Sequence, residues 1–434
     1  MAGEWVTTAL GELCEFRAGC VFKPALQGKT SGDYPFVKVS DMNIPANAVR
    51  IQDANNWVSE SDLSELGARP FPPGTVIFAK IGEALRQNRL RQVTRETIID
   101  NNMMGAIPRT DRIDPRFFYY VLSQFDFSEI AQGTALPYLT VSSLSGLTIE
   151  LPSPPEQRAI AHILGTLDDK IEFNRRMNET LEAMAQAIFK AWFVDFEPVR
   201  AKMEGRWRRG ESLPGLPAYL WGLFPDRLVD SELGEIPEGW RVDTMGNNFR
   251  ITMGQSPPGI TYNQNGEGMP FYQGRVDFEF RFPSHRVFCT APTRFAEPGD
   301  TLVTVRAPVG ATNIALERCC IGRGVAAIRH RSGGRSYTYY FVRSLQPIFD
   351  RFEAEGTVFG AINKEGFSSI QCVVPPSELV ERFEALCSPI DDQIERNDLE
   401  SRTLAALRDA LLPKLISGQI RVFDAVKFLK ERGL

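Results

Sequence analysis

The sequence is poor in the residues that most often catalyse reactions or bind metals. Its 434 residues include three histidines, His162, His285 and His330, and seven cysteines. The cysteines are odd in number and contain no C-x-x-C pair, and no Cys/His cluster has the spacing of a zinc site. We therefore expect reduced thiols, as is usual in the cytoplasm, and no structural zinc.

Long hydrophobic runs and a leader sequence are also missing. No stretch approaches about 18 uninterrupted apolar residues, so no transmembrane helix is predicted. The N-terminal MAGEWVTTALGELCEF has no basic region followed by an apolar core, so no signal peptide is predicted and we expect a cytoplasmic protein. Hydrophobic residues make up 43% of the chain and charged residues 24%, which indicates a globular protein whose length suits two or three domains.

The motifs of common enzyme sites are absent as well. QGKT at 27–30 resembles the end of a phosphate-binding loop, but the glycine that such a loop requires would fall at Lys23. The three histidines have no recognisable Ser or Cys partner, and no convincing glycine-rich loop for S-adenosylmethionine follows a strand. The aspartate pairs at 168–169 and 391–392 lie on predicted helices, where charged flanks are usual. We predict no catalytic residue and no bound metal.

The charge of the chain gives only weak evidence for or against nucleic-acid binding. The net charge is −5, which argues mildly against nucleic-acid binding by the average surface. Within 232–375, however, 14 of the 15 basic residues are arginine. Arginine suits base edges and phosphates because its planar fork donates two parallel hydrogen bonds. A GC-rich genome would also favour arginine over lysine, and composition leaves both readings open.

The chain repeats itself. LDDKIEFNRRMNETL at 167–181 and IDDQIERNDLESRTL at 390–404 are identical at seven of fifteen positions. Further matches follow in the same order in both halves: 71–82 with 296–307, 117–124 with 337–344, and 133–152 with 356–375. The chain therefore consists of two copies of one unit, a globular segment followed by a helical one, and we expect approximate two-fold symmetry.

The helical segments show the clearest periodicity. Apolar residues recur at alternating spacings of four and three, which predicts a coiled-coil seam over roughly 40 residues in each copy. Two such helices on one chain most simply pair antiparallel. Asn174 and Asn397 lie near the midpoints of the seams, and we predict that they meet and fix the register. Pro198 is expected to end the first helix, and Pro413 to end or kink the second.

The globular segments alternate short β-rich runs with Gly/Pro turns. Strands are expected within 74–81, 300–307 and 324–330, and one helix in each copy, around 115–124 and 336–347. The expected fold is α+β, with two mixed α/β domains joined by two long antiparallel helices. The predicted order is a first domain at 1–153, a first helix at 154–198, a connecting segment at 199–234, a second domain at 235–375, a second helix at 376–418 and a tail at 419–434.

Several stretches resemble the specificity subunit of Type I restriction–modification systems. The most specific are LPSPPEQRAIAHILGTLDDKIEFN and VPPSELVERFEALCSPIDDQIERN at the helix starts, FPDRLVDSELGEIPEGW at 224–240, and RAPVGATNIALERCCIGRGVAAIR at 306–329. The resemblance covers essentially the whole chain. It implies that each globular segment is a target-recognition domain that reads one half of a bipartite, asymmetric DNA sequence.

The resemblance also implies partners. The paired helices would set the distance between the half-sites and dock two modification subunits, which carry S-adenosylmethionine and methylate adenine. Restriction subunits would join that core. The chain itself would bind no cofactor and would have no active site of its own.

Polar positions that differ between the copies, beside positions that agree, are the predicted DNA-binding residues. In the first copy they are Lys80, Arg86, Gln87, Asn88, Arg89, Arg91, Tyr138 and Thr140. In the second copy they are Gln273, Arg275, Arg306, Asn313, Arg323, Asn363 and Lys364. For any one of them the alternative is an ordinary surface salt bridge.

Three other functions stay open at this point. The chain could be an enzyme that cuts or modifies DNA alone, which the missing active site disfavours. It could be a coiled-coil scaffold that binds only proteins. It could also be a lone copy without matching modification subunits.

Overall fold

The computed structural model describes residues 5–133, 136–355 and 361–430. The chain divides into two compact units: Met1–Asn174 with Leu399–Leu434, here called the first unit, and Arg175–Asp398, the second unit. Each unit contains one globular domain together with part of each of two long helices, and each is described by itself.

The first domain is built from short elements. Its strands are β1 (Val6–Ala9), β2 (Cys14–Ala18), β3 (Tyr34–Val37), β4 (Arg50–Ile51), β5 (Trp57–Val58), β6 (Val76–Ala79), β7 (Leu90–Val93), β8 (Ile98–Ile99), β9 (Met103–Pro108) and β10 (Thr148–Leu151). Its helices are α1 (Leu10–Leu13), α2 (Glu60–Leu66), α3 (Gly82–Arg86), α4 (Pro115–Leu122), α5 (Phe127–Ile130) and α6 (Val141–Ser145). The first long helix, α7 (Pro154–Phe193), begins in this unit.

These strands form three sheets. One has the order β2-β9-β6-β7-β4, a second β5-β3-β8, and the third pairs β1 with β10. Strand β6 is buried along its whole length, as its apolar sequence VIFA predicts. Helix α4 starts at Pro115 and is capped by Asp114, whose carboxylate accepts from the backbone N–H groups of Arg116 at 3.0 Å and Phe117 at 2.9 Å. Its apolar face belongs to the same buried cluster as residues of both long helices.

The second unit is likewise built from short helices and strands. Its helices are α8 (Glu197–Met203), α9 (Met245–Asn248), α10 (Arg335–Ser344), α11 (Gln346–Glu355) and α12 (Lys364–Ser369). Its strands are β11 (Leu228–Ser231), β12 (Gly234–Pro237), β13 (Arg241–Thr244), β14 (Phe249–Met253), β15 (Tyr262–Asn263), β16 (Met269–Tyr272), β17 (Phe288–Cys289), β18 (Phe295–Ala296), β19 (Thr301–Thr304), β20 (Thr312–Ile314), β21 (Cys319–Ile321), β22 (Val325–His330) and β23 (Gln371–Val374). The second long helix, α13 (Ser377–Ile416), begins here, and α14 (Val422–Lys430) follows it in the first unit.

The sheets of the second unit match those of the first. The order β14-β22-β19-β20 corresponds to β2-β9-β6-β7, the run β17-β16-β21 to β5-β3-β8, and the pair β13-β23 to β1-β10. One matched pair of strands is parallel in both units: β3 with β8, where Phe36 lies beside Ile98, and β16 with β21, where Phe271 lies beside Cys320. The internal duplication predicted from the sequence is therefore a duplication of the fold.

The two long helices pack together and run antiparallel. In the first unit the early part of α7 meets the end of α13, where Arg408 bonds Asp168. In the second unit the late part of α7 meets the early part of α13, where Asn178 donates to the backbone oxygen of Ile394 at 3.2 Å. Each helix has 40 residues, or about 60 Å at 1.5 Å per residue. The expected fold class is confirmed.

The seam asparagines are both buried. In the first unit Asn174 donates to the carboxylate of Glu400 at 2.7 Å and to the hydroxyl of Ser401 at 3.3 Å. In the second unit Asn397 donates to the side-chain oxygen of Asn178 at 2.8 Å. Asn178 and Ser401 are equivalent in the repeat, so each seam asparagine bonds the same position of the facing helix. That the two asparagines also meet each other stays a prediction.

The helix ends differ from the prolines that were expected to set them. Helix α7 ends at Phe193, and Phe196 then adopts a left-handed conformation with φ of 53°. Pro198 lies in the first turn of α8. Backbone N–H groups of a first turn have no acceptor within the helix, so proline, which lacks an N–H, costs no helical hydrogen bond there. Pro413 lies inside the last turn of α13, which continues to Ile416. No helix in the described part of the chain is long and apolar enough to cross a membrane.

Candidate nucleic-acid interface

Four of the residues predicted for the second copy line one open cleft in the second unit. The cleft has a volume of about 340 Å³. Its lining includes Gln273, Arg275, Arg306 and Arg323 together with Ser256 and Tyr262. The structure thus brings together side chains that are up to 67 residues apart in the sequence, from Ser256 to Arg323.

Two parallel strands of the second unit, β16 and β21, position this cleft. Strands β16 and β21 end at the same edge of the sheet, and Gln273 and Arg323 follow those ends. A turn closed by the Val325 N–H and the Gly322 oxygen, at 2.9 Å, puts Arg323 at its tip. Gly324 is needed here because a Cβ atom at that position would lie 2.2 Å from the Gln273 backbone oxygen.

Arg306 enters the cleft from the segment that follows β19. The Val305 N–H donates to the Gly324 oxygen at 2.9 Å, and Arg306 forms a bridge with Ala361. The chain after Ala361 leads into α12, so Asn363 and Lys364 follow at its start. The Asn363 side chain caps α12 by accepting from the Gly366 N–H at 2.8 Å, whereas Lys364 is exposed.

The cations of this surface are not neutralised. Arg275, Arg306, Arg323 and Lys364 are exposed, and within 5–133, 136–355 and 361–430 no ion pair joins any of them to a carboxylate. The Arg275 guanidinium donates to the backbone oxygen of Phe278 at 2.5 Å. Unpaired arginines around a concave surface attract a polyanion and can bond its phosphates and base edges.

Asn313, also predicted for this copy, serves the fold. It is buried, and its amide donates to the backbone oxygens of Glu279 at 3.0 Å and Thr312 at 2.7 Å. Its side-chain oxygen accepts from the Glu279 N–H at 3.2 Å. A base contact by Asn313 would have to break these bonds.

Part of the first-copy prediction lies together in the first unit. Ile81 forms a bridge with Tyr138, and the Leu139 N–H donates to the Lys80 oxygen at 2.9 Å. Lys80 is partly exposed and Tyr138 is exposed. Thr140 caps α6 by accepting from the Ser143 N–H at 3.1 Å. This bridge is the counterpart of the one between Arg306 and Ala361.

The remaining first-copy residues surround the end of α3. Arg86, Gln87 and Arg89 are exposed, and Arg86 pairs with Glu83 at 3.2 Å, three residues earlier on the same helix. Helix α3 is tied to the Tyr138 segment because the N–H of its first residue donates to the Pro137 oxygen at 2.8 Å.

Asn88 and Arg91 brace the first domain from inside. Asn88 has a left-handed backbone, and its amide donates to the Phe125 oxygen at 2.7 Å and accepts from the Phe127 N–H at 3.1 Å. The Arg91 guanidinium donates to the Met42 oxygen at 2.9 Å, and burial lowers its pKa. Both side chains are engaged by backbone atoms of their own domain.

The repeat reveals two residues that the sequence reasoning missed. Strands β3 and β8 end as β16 and β21 do, so Lys38 and Asn101 occupy the places of Gln273 and Arg323. A sequence alignment could have identified Asn101. When Ile99 of the stretch IIDNNMMGAI (98–107) is aligned with Ile321 of CCIGRGVAAI (319–328), Asn101 falls opposite Arg323.

Comparison with known proteins agrees with this architecture. A family model described as the Type I restriction modification DNA specificity domain matches residues 2–183. The putative type I restriction enzyme MjaX specificity subunit of Methanocaldococcus jannaschii is 31% identical over 96% of this chain and 94% of that protein. The chain belongs to the type I restriction enzyme specificity subunits.

Other members of the family resemble this specificity subunit over most of its length. The HindI specificity subunit of Haemophilus influenzae is 25% identical over 83% of this chain and 89% of that protein. The crystal structure of a Type-I restriction-modification system S subunit from M. genitalium covers 95% of this chain and 96% of its own, with a TM-score of 0.56 at 16% identity. That likeness shows a shared fold.

In this specificity subunit the repeated aspartate pairs fasten each domain to the long helices. In the first unit Asp168 accepts from the Tyr120 hydroxyl at 2.5 Å and from the Arg408 guanidinium at 2.7 Å. In the second unit Asp391 accepts from the Tyr340 hydroxyl at 3.2 Å and pairs with Arg281. Tyr120 and Tyr340 are equivalent residues of α4 and α10.

The second aspartate of each pair bonds the start of the same domain helix. Asp169 pairs with Arg116 at 2.7 Å, and Asp392 lies 4.0 Å from Arg335. Within the described parts of the chain, no group of three or more His, Cys, Asp or Glu residues is arranged to hold a metal ion. The aspartate pairs therefore act in packing the domains onto the helices.

Proposed function

We propose that this specificity subunit recognises a bipartite, asymmetric DNA sequence, with one half-site for each globular domain. The observation that carries the proposal is the cleft of Arg275, Arg306 and Arg323, whose cations are exposed and without carboxylate partners among the described residues. The first domain offers the equivalent surface with different side chains. Two copies of one reader with different contacts suit two half-sites of different sequence.

The recognition domains would extend over 1–153 and 235–375, with 199–234 as the connection between them. We propose that the paired helices dock two modification subunits, which bring S-adenosylmethionine and methylate adenine, and that restriction subunits join this complex in the cytoplasm. The chain would bind no cofactor and catalyse no step. The relatives' designation as specificity subunits supports this division of labour.

The direct test is to reconstitute the chain with modification subunits, treat unmethylated genomic DNA, and map the modified adenines. We expect one asymmetric motif with two defined parts and a gap. Exchanging 1–153 for the equivalent segment of another family member should change one part and leave the other intact. If both parts changed together, the assignment of one half-site to each domain would be wrong.

A matched pair of variants tests the cleft. Arg323→Ala should weaken specific binding, and Arg209→Ala, which removes an exposed arginine of the connecting segment, should leave it unchanged. Methylation or cleavage of DNA by the purified chain alone would instead establish an enzyme. Binding to modification subunits with no preference for any DNA sequence would indicate a scaffold.

A further inference from the structure

Asn101 and Arg323 lie at the tips of equivalent turns, one in each domain. In the first domain the Met103 N–H closes the turn on the Asp100 oxygen at 2.9 Å, as the Val325 N–H does on the Gly322 oxygen in the second. Both tip residues are exposed. Among the described residues, neither side chain has a hydrogen bond or an ion pair within the protein.

Each turn is bonded by the segment that follows β2 in the first domain and β14 in the second. The Cys20 N–H donates to the Ile99 oxygen at 3.0 Å, and the Gln255 N–H donates to the Ile321 oxygen at 3.0 Å. The preceding glycines are required because a Cβ at Gly19 would lie 2.2 Å from the Asp100 oxygen, and one at Gly254 would lie 2.1 Å from the Gly322 oxygen. A side chain on a fixed backbone loses little entropy when it binds.

Arg323 lies beside cations that can position a duplex, and the turn of Asn101 lies beside the backbone of Lys80. Arg323 shares its cleft with Arg275 and Arg306. On the first domain the Asn102 oxygen accepts from the Lys80 N–H at 2.9 Å, which brings the lysine backbone beside the turn. Phosphate contacts from such residues fix the register, and the side chain between them then reads a base edge.

The two tips differ in the base edge that they fit. An asparagine side chain fits adenine because its Nδ2 donates to N7 and its Oδ1 accepts from the N6 amino group, whereas an arginine fork donates twice, to O6 and N7 of guanine. We propose that Asn101 reads an adenine in the half-site of the first domain and that Arg323 reads a guanine in the half-site of the second. This assignment rests on the proposed function and names the bases that it would recognise.

The test exchanges the two side chains in the complex reconstituted with modification subunits. In Asn101→Arg, one position of the first half-site should change from A to G and the second half-site should stay as it was. In Arg323→Asn, one position of the second half-site should change from G to A. The single alanine variants should lose discrimination at the same positions by about 5- to 150-fold, the range of one bidentate contact.

If the Asn101→Arg or Arg323→Asn variant methylates no DNA, binding to DNA that contains base analogues provides a second test. Wild-type binding should weaken when 7-deazaadenine or 7-deazaguanine replaces the base in question, because the N7 acceptor is lost. Asn101→Ala and Arg323→Ala should be insensitive to the same replacement. Equal sensitivity of variant and wild type would overturn the assignment.

Other outcomes separate this inference from the proposed function. A second half-site without a G·C pair would overturn the role of Arg323, and variants that lose affinity equally for all sequences would show phosphate contacts only. A wild-type complex that methylates no defined motif would refute the proposed function itself. A defined motif that neither exchange alters would refute only the base assignments.

Discussion

Arg281→Met tests how the second domain is fastened to the long helices. The Arg281 side chain is fully buried and pairs with Glu182 of α7 and Asp391 of α13, which are 7% and 1% exposed. It also donates to the Tyr340 hydroxyl at 2.9 Å. Burial alone would lower the pKa of Arg281, but the charges of Asp391 and Glu182, with two tyrosines, raise it well above the usual value.

The expected magnitude follows from what the substitution leaves behind. Methionine fills much of the space of the arginine stem, but it leaves the buried Asp391 without this cation and the buried Glu182 with Arg343 alone. Breaking a buried ion pair by removing one partner costs about 3–5 kcal/mol in the free energy of unfolding. Arg408→Met is the matched comparison in the first unit, because Arg408 is 25% exposed and, of its two carboxylate partners, Asp168 is buried whereas Asp409 is 63% exposed. We expect a smaller cost there, about 1–3 kcal/mol.

Urea unfolding followed by tryptophan fluorescence suits this comparison. Four of the six tryptophans, at 192, 207, 221 and 240, belong to the second unit, so the signal reports mainly on that unit. With an m value of about 3 kcal/mol/M, Arg281→Met should lower the transition midpoint by about 1–1.7 M. The midpoint for Arg408→Met should move less.

A further variant identifies the cause. The triple variant Glu182→Met, Arg281→Met, Asp391→Leu removes both carboxylates together with the arginine, and only Arg343, which is 32% exposed, loses the partner Glu182. The triple variant should recover most of the lost stability. A loss below about 1 kcal/mol for Arg281→Met, or a triple variant less stable than the single one, would refute the reasoning.

Three other predictions follow from contacts in the two units. Asn397→Leu strands the side-chain oxygen of Asn178 and should cost about 1–3 kcal/mol, whereas Asn178→Leu combined with Asn397→Leu should recover part of it, as a double-mutant cycle in urea would measure. Iodoacetamide at pH 8, followed by mass spectrometry, should modify Cys20 before the six buried cysteines, and earlier labelling of a buried thiol would contradict the packing. Burial opposes the charge of Asp169, but bonds led by that from Arg116 outweigh it and lower the pKa of Asp169. Since its folded pKa lies below the unfolded value, its stabilisation is present above the unfolded value and is lost as pH falls through the folded one, so Asp169→Asn should flatten the acid side of a stability–pH curve.

The sequence predicted the architecture well because the chain is duplicated. The main helix and strand patterns occur in both copies in the same order, so each local prediction is supported by the matching pattern in the other copy. The helices around 115–124 and 336–347 appear as α4 and α10, and the expected strands as β6, β19 and β22. The helix ends were less predictable, because a proline can either end a helix or occupy the first turn of the next one, as Pro198 does.

The candidate surface was predicted in part. Polarity and divergence between the copies selected Gln273, Arg275, Arg306 and Arg323, which the fold places in one cleft. The same criterion also selected Asn313 and Asn88, whose amides bond backbone groups of their own domains. A sequence pattern does not distinguish an asparagine that satisfies a buried backbone from one that faces solvent, because that depends on long-range packing.

The same aspartate motif anchors both domains, but the cation that completes the anchor has a different origin. In the first unit it is Arg408 of α13, whereas in the second it is Arg281 of the domain itself. The position of the first domain that matches Arg281 is Val49, whose backbone oxygen accepts from Gln92 as that of Arg281 accepts from Ile314.

A domain grafted into the second position therefore has to bring its own arginine. If it presents valine there instead, the carboxylates of Glu182 and Asp391 are buried without it, as in Arg281→Met. Grafting 1–153 in place of 235–375 should accordingly give a second unit that unfolds early, and restoring the arginine with Val49→Arg in the graft should rescue it. A graft that is stable without that arginine would show that the anchor tolerates an unpaired aspartate.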